Sequence, residues 1–320
     1  MKILAIQNRM GIGDTVIFLP FIEAISKKFN TSINIMVREN SKATQFLEET
    51  DYIDKIFILE RNQHLNGRHD GILGALNLIK DLKKNNFDKI FIFNSSLRFN
   101  LIARLAGIPE INQYPLFKKG KQHIISTAKK FIKKSISSIV VNNPQIHIKE
   151  KKVKDAIDNF NIKKDEINIV LGIGGSGPTK RIPSKTFLKV IEKITQSKKS
   201  RFFLVTGKNF DEQIILNEIL DSRYGNLCVP LDDLSIKDTL PIIKSCDVSI
   251  CNDTSYSHLS AALGVKTITL MADTPLVYGS YSSKMYPIIP DGETTVTHNT
   301  LGKDKINSDK IFQKLNDILY

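Results

Sequence analysis

The chain has 320 residues, of which 41% are hydrophobic and 25% charged, a balance typical of a soluble globular protein long enough for two domains. No window of about 18 consecutive apolar residues occurs, which excludes a membrane-spanning helix. The first apolar run covers only residues 3–6, so we expect a buried strand there rather than a signal peptide. The three cysteines lack zinc-type spacing, and we expect reduced thiols and a cytoplasmic protein.

The net charge of +13 is concentrated in one stretch. Residues 118–154 hold eleven lysines against one acidic residue, Glu150. Such a patch attracts an anionic partner, for which nucleic acid, an acidic lipid surface and an acidic glycan are the candidates. A solubilising lysine-rich surface has the same composition, and that alternative stays open.

Strand and helix patterns alternate through the first half. Helical spacing of apolar residues predicts helices at 15–29, 44–50, 71–85 and 97–105. Short apolar runs predict strands at 2–6, 32–37, 55–59 and 89–93. This alternation indicates a parallel sheet that is covered by helices on both faces.

A lysine-rich helix interrupts this rhythm at 120–136. Its apolar residues share one face, and four lysines stand beside them: Lys129, Lys130, Lys133 and Lys134. The pattern suits a helix that lies on a membrane surface or over an acidic acceptor. An ordinary amphipathic surface helix has the same pattern.

The polar stretch 142–164 is the predicted domain boundary, because charged residues replace the apolar periodicity there. Beyond it the alternation restarts. Strands are predicted at 167–172, 202–206, 228–231, 248–251 and 267–271. Helices are predicted at 185–195, 211–220, 235–244, 256–263 and 308–319.

Two Rossmann-like halves joined by a linker leave a cleft between them. Ligands of open α/β sheets bind beyond the carboxyl ends of the strands. Loops at Asp14, at 172–180 and at 252–255 follow directly on predicted strands. We therefore expect these three loops to converge on one cleft.

The stretch 249–264 reads as the end of a strand, a polar turn and a helix stopped by Gly264. The first N–H groups of such a helix have no partner within it and, together with the helix dipole, they form an anion site. Asp253 or Thr254 is expected to cap the helix. A well-capped strand–helix unit without a ligand has the same pattern.

Two glycine-containing loops are weaker indications of a phosphate-binding site. The loop 172–180 does not match the Walker sequence, and the loop 11–13 does not match the dinucleotide-binding fingerprint. A glycine-rich backbone that ends in Lys180-Arg181 still suits a diphosphate, although a plain surface loop looks alike.

Two titratable residues also have a structural and a functional reading. Asp14 is either a helix N-cap or a general base acting on an alcohol. His258 is either a satisfied core histidine or part of the turn at 252–255. The sequence shows no convincing metal-ligand spacing and no motif for covalent catalysis.

Four motifs occur in order along the chain. They are the opening strand with Gly13-Asp14 and Pro20, the segment Lys180-Arg181-Ile182-Pro183, the strand ending in Gly207, and Asn252-Asp253-Thr254-Ser255 with His258 and Ala261-Ala262. Together they resemble the heptosyltransferases of bacterial lipopolysaccharide synthesis, glycosyltransferase family 9. The last motif is the most specific, and the resemblance is weakest over roughly 40–165.

The resemblance implies a GT-B fold, an α/β architecture of two Rossmann-like parallel-sheet domains facing a central cleft. Residues 1–150 would bind the acceptor, and 165–305 would bind the nucleotide-sugar donor. The helix within 306–320 would pack back on the first domain. The implied reaction is an inverting, metal-independent transfer of heptose from ADP-L-glycero-β-D-manno-heptose to a Kdo or heptose residue of the lipid-anchored inner core. No cofactor is implied, because the ADP-sugar is the donor substrate.

By position, the resemblance makes Asp14 the general base on the acceptor hydroxyl, and Lys180 the group that neutralises the leaving diphosphate. Ser176 would hydrogen-bond the phosphate, and the N–H groups of Thr254 and Ser255 would cradle it. The remaining donor-site residues would be Gly207, Asn209, Asp253 and His258.

The acceptor side would be cationic. An anionic lipid-linked glycan would meet five residues there: Arg9, Lys129, Lys130, Lys133 and Lys134. Because Kdo, phosphorylated lipid A and the inner leaflet are all anionic, the resemblance implies a cytoplasmic enzyme that binds the inner membrane peripherally. Nucleic acid is not expected, since basic residues are not interleaved with aromatic ones.

The chain departs from the family pattern at four positions. Ile182 replaces the usual Trp, Ser176 replaces Thr, and Ser255 stands where the family has Gly. Asn209 stands where an acidic residue often holds the ribose. These departures bear on nucleotide and sugar preference.

Three alternatives stay open beside heptose transfer. The same fold could move another sugar onto a different surface glycan. The chain could also be a catalytically silent nucleotide-sugar-binding protein, which would bind donor without turnover. A sugar-nucleotide epimerase of similar two-domain shape would form product from donor alone.

Overall fold

A computed structural model describes residues 1–62, 66–116 and 123–320. The chain divides into two compact units, 1–147 and 148–320, and each contains its own parallel sheet. The division falls within the polar stretch 142–164.

The first unit is built on a five-stranded parallel sheet in the order β3-β2-β1-β4-β5. The strands are β1 (Ile3–Ile6), β2 (Ile33–Arg38), β3 (Ile53–Leu59), β4 (Lys89–Ile92) and β5 (Glu110–Gln113). The helices are α1 (Ile12–Phe29), α2 (Gly71–Asn85), α3 (Leu97–Leu105) and α4 (Ile124–Ile136). The helix predicted at 44–50 is reduced to a 3₁₀ turn, Ala43–Gln45, and β5 was not predicted.

Helix α4 packs its apolar face into the core of the first unit. Phe131 lies edge-to-face against Phe93 and Tyr114, with ring centroids 5.2 and 5.0 Å apart, and Ile132 is fully buried. The apolar face is therefore covered by protein, as in the ordinary amphipathic helix left open above, and is not free to rest on a membrane. The lysines on the opposite face remain exposed.

The second unit contains a six-stranded parallel sheet in the order β11-β10-β9-β6-β7-β8. The strands are β6 (Ile167–Gly172), β7 (Ser200–Val205), β8 (Cys228–Pro230), β9 (Val248–Asn252), β10 (Lys266–Leu270) and β11 (Met285–Ile288). The helices are α5 (Glu150–Asn159), α6 (Ser184–Ser197), α7 (Phe210–Leu220), α8 (Ile236–Lys244), α9 (Ser255–Ala262) and α10 (Ser308–Leu319). Helix α5 lies in the stretch predicted as a linker, and β11 was not predicted.

The C-terminal helix α10 packs its apolar stripe within the second unit, and its expected packing on the first domain stays a prediction. Ile311, Leu315 and Ile318 are buried in one core cluster with Phe187 and Ile191 of α6. Their i, i+4, i+7 spacing gives α10 a single apolar stripe, and α6 and the adjacent sheet supply the surface that buries it.

The three cysteines are free thiols, and all are buried: Cys228, Cys246 and Cys251. Within residues 1–62, 66–116 and 123–320, no helix is both long and apolar enough to cross a membrane.

Candidate functional site

The two motif loops of the second unit begin side by side. Strands β6 and β9 are neighbours, and Gly172 pairs with Cys251 at their carboxyl ends. Asn252, which is fully buried, donates its side-chain amide to the carbonyl oxygens of Ile173 (2.9 Å) and Gly174 (3.0 Å). These bonds fix the start of the glycine-rich loop against the turn that leads into α9.

An ion pair then joins the far end of the glycine-rich loop to the same turn. Lys180 Nζ lies 2.9 Å from Asp253 Oδ2, and the other carboxylate oxygen lies 3.9 Å from His258 Nε2. His258 Nδ1 is 2.9 Å from the Tyr281 hydroxyl, and the two rings are stacked with centroids 5.6 Å apart. Lys180, Asp253, His258 and Tyr281 thus form one continuous chain of polar contacts.

The charges along this chain follow from burial and proximity. Burial opposes ionisation of Asp253, but Lys180 above all, and then His258, hold its pKa below the ordinary value. Burial lowers the pKa of His258 despite the nearby Asp253. The imidazole is therefore neutral near pH 7, and Lys180 is the cation that faces the turn.

The amino terminus of α9 has no side-chain cap in the described chain. Thr254 occupies the N-cap position, yet it makes no capping hydrogen bond, and its buried Oγ1 has no partner among the described residues. Asp253 is engaged with Lys180 instead. Neither of the two residues expected to cap the helix therefore does so. The first N–H groups of the helix, beginning at Ser255, have no side-chain acceptor.

A buried carboxylate that was not predicted, Glu212, organises the other side of the loop. It accepts a hydrogen bond from the Gly175 amide (2.6 Å), and a Cβ atom on Gly174 would lie 2.5 Å from its Oε1. A Cβ atom on Gly207 would meet its Oε2 even more closely. A side chain at either glycine would have to displace the Glu212 carboxylate, which occupies that space.

Asn209 caps helix α7 rather than standing free for a ribose. Its Oδ1 accepts from the Glu212 amide (3.0 Å), and its Nδ2 donates to the Glu212 carboxylate. The pair matches the capping-box spacing of Asn followed three residues later by Glu, which is the sequence signal that would have revealed Glu212. A ribose contact by Asn209 stays a prediction, and the ribose would have to compete with Glu212 for the Asn209 side chain. Ser176 is exposed in the loop, and its phosphate contact also stays a prediction.

In the first unit, Asp14 lies in the first turn of α1. The N-cap is Gly11, with φ at +100°, so the capping role considered for Asp14 is not what the structure shows. Arg9 Nε donates to Asp14 Oδ1 at 3.0 Å. Burial raises the pKa of Asp14, and Arg9 opposes that shift. A partly buried carboxylate with a raised pKa is suited to accept a proton near neutral pH.

Three arginines at the same edge of this sheet were missed by the sequence reasoning. Arg38 ends β2, Arg61 follows β3, and Arg98 lies in the first turn of the helix after β4. The buried Nε atoms of Arg38 and Arg98 have no partner among the described residues, and Arg61 pairs with Asp70 at 3.0 Å. Burial and the nearby Arg61 lower the pKa of Arg98. The sequence signal that was missed is an arginine at or close after the carboxyl end of each of three strands, which places all three at one edge of the sheet.

The predicted lysine-rich patch is described only in part, because residues 117–122 lie outside the described chain. On α4, Lys130 and Lys134 line a cavity with residues of β5, whereas Lys129 and Lys133 do not line it. The structure thus separates four lysines that the sequence treated alike. Among the described residues, no group of three or more His, Cys, Asp or Glu side chains could hold a metal ion.

Comparison with protein families identifies the family of this chain. The model of glycosyltransferase family 9 (heptosyltransferase) matches residues 75–289. Lipopolysaccharide heptosyltransferase 1 of Campylobacter coli is 22% identical over 334 residues, which cover 95% of this chain and 93% of that protein.

Two solved structures from E. coli show the same architecture. ADP-heptose lps heptosyltransferase II has a TM-score of 0.74 at 17% identity, covering 100% of this chain and 98% of that one. Heptosyltransferase WaaC with ADP-2-deoxy-2-fluoro heptose has a TM-score of 0.72 at 15% identity, covering 99% and 100%. This likeness confirms the predicted GT-B fold class.

Proposed function

The chain belongs to glycosyltransferase family 9, the heptosyltransferases, and from that premise we propose that it moves heptose from ADP-L-glycero-β-D-manno-heptose to the Kdo or heptose inner core of lipopolysaccharide or lipooligosaccharide. The names of its relatives support this substrate pair, since they include a lipopolysaccharide heptosyltransferase and two lipooligosaccharide heptosyltransferases. A structural relative was solved with an ADP-heptose analogue.

The observation that carries the proposal is the Lys180–Asp253 pair beside the uncapped start of α9. A leaving diphosphate carries negative charge that grows as the bond to the sugar breaks. Lys180 is a quarter exposed, so it can turn from Asp253 to an incoming phosphate, and the N–H groups of Thr254 and Ser255 add a fixed positive potential. These groups supply the stabilisation that a divalent cation supplies in other transferases, and we propose a metal-independent reaction.

The proposed reaction is a single displacement with inversion. The acceptor hydroxyl oxygen forms a bond to the anomeric carbon while the bond from that carbon to the diphosphate oxygen breaks. The hydroxyl proton passes to Asp14, and the bonding electron pair leaves with ADP, which Lys180 neutralises. No covalent enzyme intermediate is needed, so the reaction requires one base and one stabilised leaving group.

The acceptor and the location follow from charge. The lysine-bearing face of α4 is exposed, and Arg9, Arg38 and Arg98 lie at or after the carboxyl ends of strands of the first sheet, at the edge where Asp14 also lies. An anionic lipid-linked glycan suits the basic edge of the sheet, and the cationic face of α4 is attracted to an anionic leaflet. We therefore propose a cytoplasmic enzyme that binds the inner leaflet peripherally.

The test is release of ADP from ADP-heptose, with and without Kdo-terminated lipid A, by wild type, Asp14→Asn and Lys180→Ala. Acceptor-dependent release should fall about 10²- to 10⁴-fold in Asp14→Asn while calorimetry shows unchanged donor binding. In Lys180→Ala it should fall about 10²- to 10³-fold. Lys199→Ala is the matched control, because Lys199 also pairs with acidic groups in the second unit.

Each other outcome identifies an alternative. Binding and turnover of a UDP- or GDP-sugar instead of ADP-heptose would overturn the donor assignment. Donor binding without turnover on any acceptor would indicate a silent binding protein. Conversion of the donor alone would indicate an epimerase.

A further inference from the structure

A cavity of about 630 Å³ lies in the first unit between β5 and α4. We call it the β5–α4 pocket. Its strand side is formed by residues 111–115, and its helix side by one face of α4 that includes Ser126, Lys130 and Lys134. The volume is in the range of pockets that hold a small molecule, and the mechanism proposed above does not use it.

The pocket is positively charged without compensation. Lys130 and Lys134 are one helical turn apart and both line it, whereas none of the residues that line it is acidic. In the described chain, neither lysine pairs with a carboxylate. Two cations at i, i+4 repel each other, so an anion bound between them would relieve that repulsion.

The remaining walls suit a sugar ring. Phe131 and Tyr114 form an aromatic wall, with rings edge-to-face at 5.0 Å. Tyr114 is 9% exposed, and its buried hydroxyl has no partner among the described residues. Gln113 is held by hydrogen bonds to the Asn94 and Ser96 carbonyl oxygens (3.0 and 2.9 Å). The pocket thus offers apolar area and a fixed polar side chain beside two cations.

Tyr114 of the pocket wall lies within electrostatic range of Arg9. Burial raises the pKa of the Tyr114 phenol, and the Arg9 guanidinium opposes that shift. The same Arg9 holds Asp14 at 3.0 Å. The pocket wall and the proposed base thus share Arg9 as an electrostatic neighbour within the same unit.

We propose that the β5–α4 pocket binds an acidic sugar of the acceptor, and that Lys130 and Lys134 contact its carboxylate or phosphate group. The inference rests on the proposed function and adds to it a residue-level basis for acceptor selection. It favours a sugar over a lipid surface because the two lysines line a concave site with an aromatic wall. A flat anionic membrane would engage Lys129 and Lys133 of the same helix equally.

The experiment compares two double variants that each remove two lysines from α4. Lys130→Ala/Lys134→Ala should raise KM for Kdo-terminated lipid A about tenfold, with kcat and the donor KM within about twofold of wild type. Lys129→Ala/Lys133→Ala should change the acceptor KM less than about twofold. With an acceptor whose Kdo carboxyl groups are methyl esters and whose phosphates are removed, the two double variants should behave alike.

Three outcomes would overturn the proposal. Equal loss in both double variants would indicate general attraction by the charge of the helix. An equal rise in KM for the acidic and the neutral acceptor would show that the two lysines do not act through an anionic group of the acceptor. A loss seen with acceptor in anionic vesicles but not with acceptor in neutral detergent would assign the lysines to lipid.

A direct binding measurement separates this proposal from the transfer reaction. Free Kdo is titrated into the full-length wild type and both double variants, and binding is followed by ligand-observed NMR. Binding that weakens only in Lys130→Ala/Lys134→Ala supports the pocket even if no transfer occurs. Kdo binding that is unaffected by either double variant overturns the pocket even if transfer is established.

Discussion

The Arg9–Asp14 ion pair makes a quantitative prediction about the pH dependence of the enzyme. Burial raises the pKa of Asp14, and Arg9, 3.0 Å away, opposes that shift. Arg9→Gln removes the opposing charge, so the pKa of Asp14 should rise further. Because a general base works only when deprotonated, the acid limb of the pH–rate profile should move to higher pH.

The exposure of the pair sets the size of this shift. The side chain of Arg9 is 45% exposed and that of Asp14 is 21% exposed, so water screens their attraction. Ion pairs of this kind contribute about 0.2–1 kcal/mol. At about 1.36 kcal/mol per pH unit, the acid limb should move upward by roughly 0.15–0.7 unit.

The assay is kcat/KM for acceptor-dependent ADP release across pH 4 to 9, since this ratio reports the ionisation of the free enzyme. Arg9→Lys keeps the charge and should leave the limb near its wild-type position. Asp14→Asn should abolish the limb together with most of the rate. A limb that stays in place or moves to lower pH in Arg9→Gln would refute Asp14 as the titrating base.

Further predictions concern the second unit. Gly174→Ala places a Cβ 2.5 Å from the Glu212 carboxylate and should cost about 1–3 kcal/mol of unfolding free energy and weaken donor binding in calorimetry. Gly177→Ala, with no atom of the described chain within 4 Å of its Cβ, should do neither; equal effects would contradict the steric argument. Ile311→Ala should lower the urea-unfolding free energy by about 2–5 kcal/mol, and a loss below about 1 kcal/mol would contradict the burial of α10 in this unit. Asp253 has a lowered pKa, so its ionised form stabilises the fold fully above its ordinary value of 3.8, and this advantage declines as the pH falls towards the native pKa. Unfolding free energies of wild type and Asp253→Asn should therefore converge in acid, whereas a constant difference would contradict the ion pair.

The central strands were predictable from sequence, whereas two of the four edge strands, β5 and β11, were not. Strand β6 (Ile167–Gly172) is buried on both faces and is largely apolar, with Asn168 as its one polar side chain. Strand β5 reads Glu-Ile-Asn-Gln, because an edge strand with partial exposure needs little apolar character. Strand β11 contains Pro287, which is tolerated at an edge and argues against a strand in a sequence pattern. The stripe on α10 predicted that this helix packs, but not on which surface.

The loops that form the site could be predicted from the sequence, whereas the side-chain contacts between them could not. The loops at 172–180 and 252–255 were expected to meet, and the structure joins them through Asn252 and through Lys180. The partner of Lys180 is 73 residues away, and local pattern carries no information about such a distance. Asp253 and Asn209 were both assigned to ligand, yet each also satisfies a group of the protein. From the sequence alone, a polar residue that stabilises the fold looks the same as one that binds a ligand.

The order of the strands in the second sheet has a consequence for how the enzyme acquires activity during folding. Asn252 hydrogen-bonds Ile173 across 79 residues of chain, and β9 pairs with β6 although β7 and β8 lie between them in the sequence. Contacts of such large sequence separation form slowly, because a long loop must close first. A chain that ends before β9 therefore lacks both the turn at 252–255 and the contact that fixes the start of the glycine-rich loop.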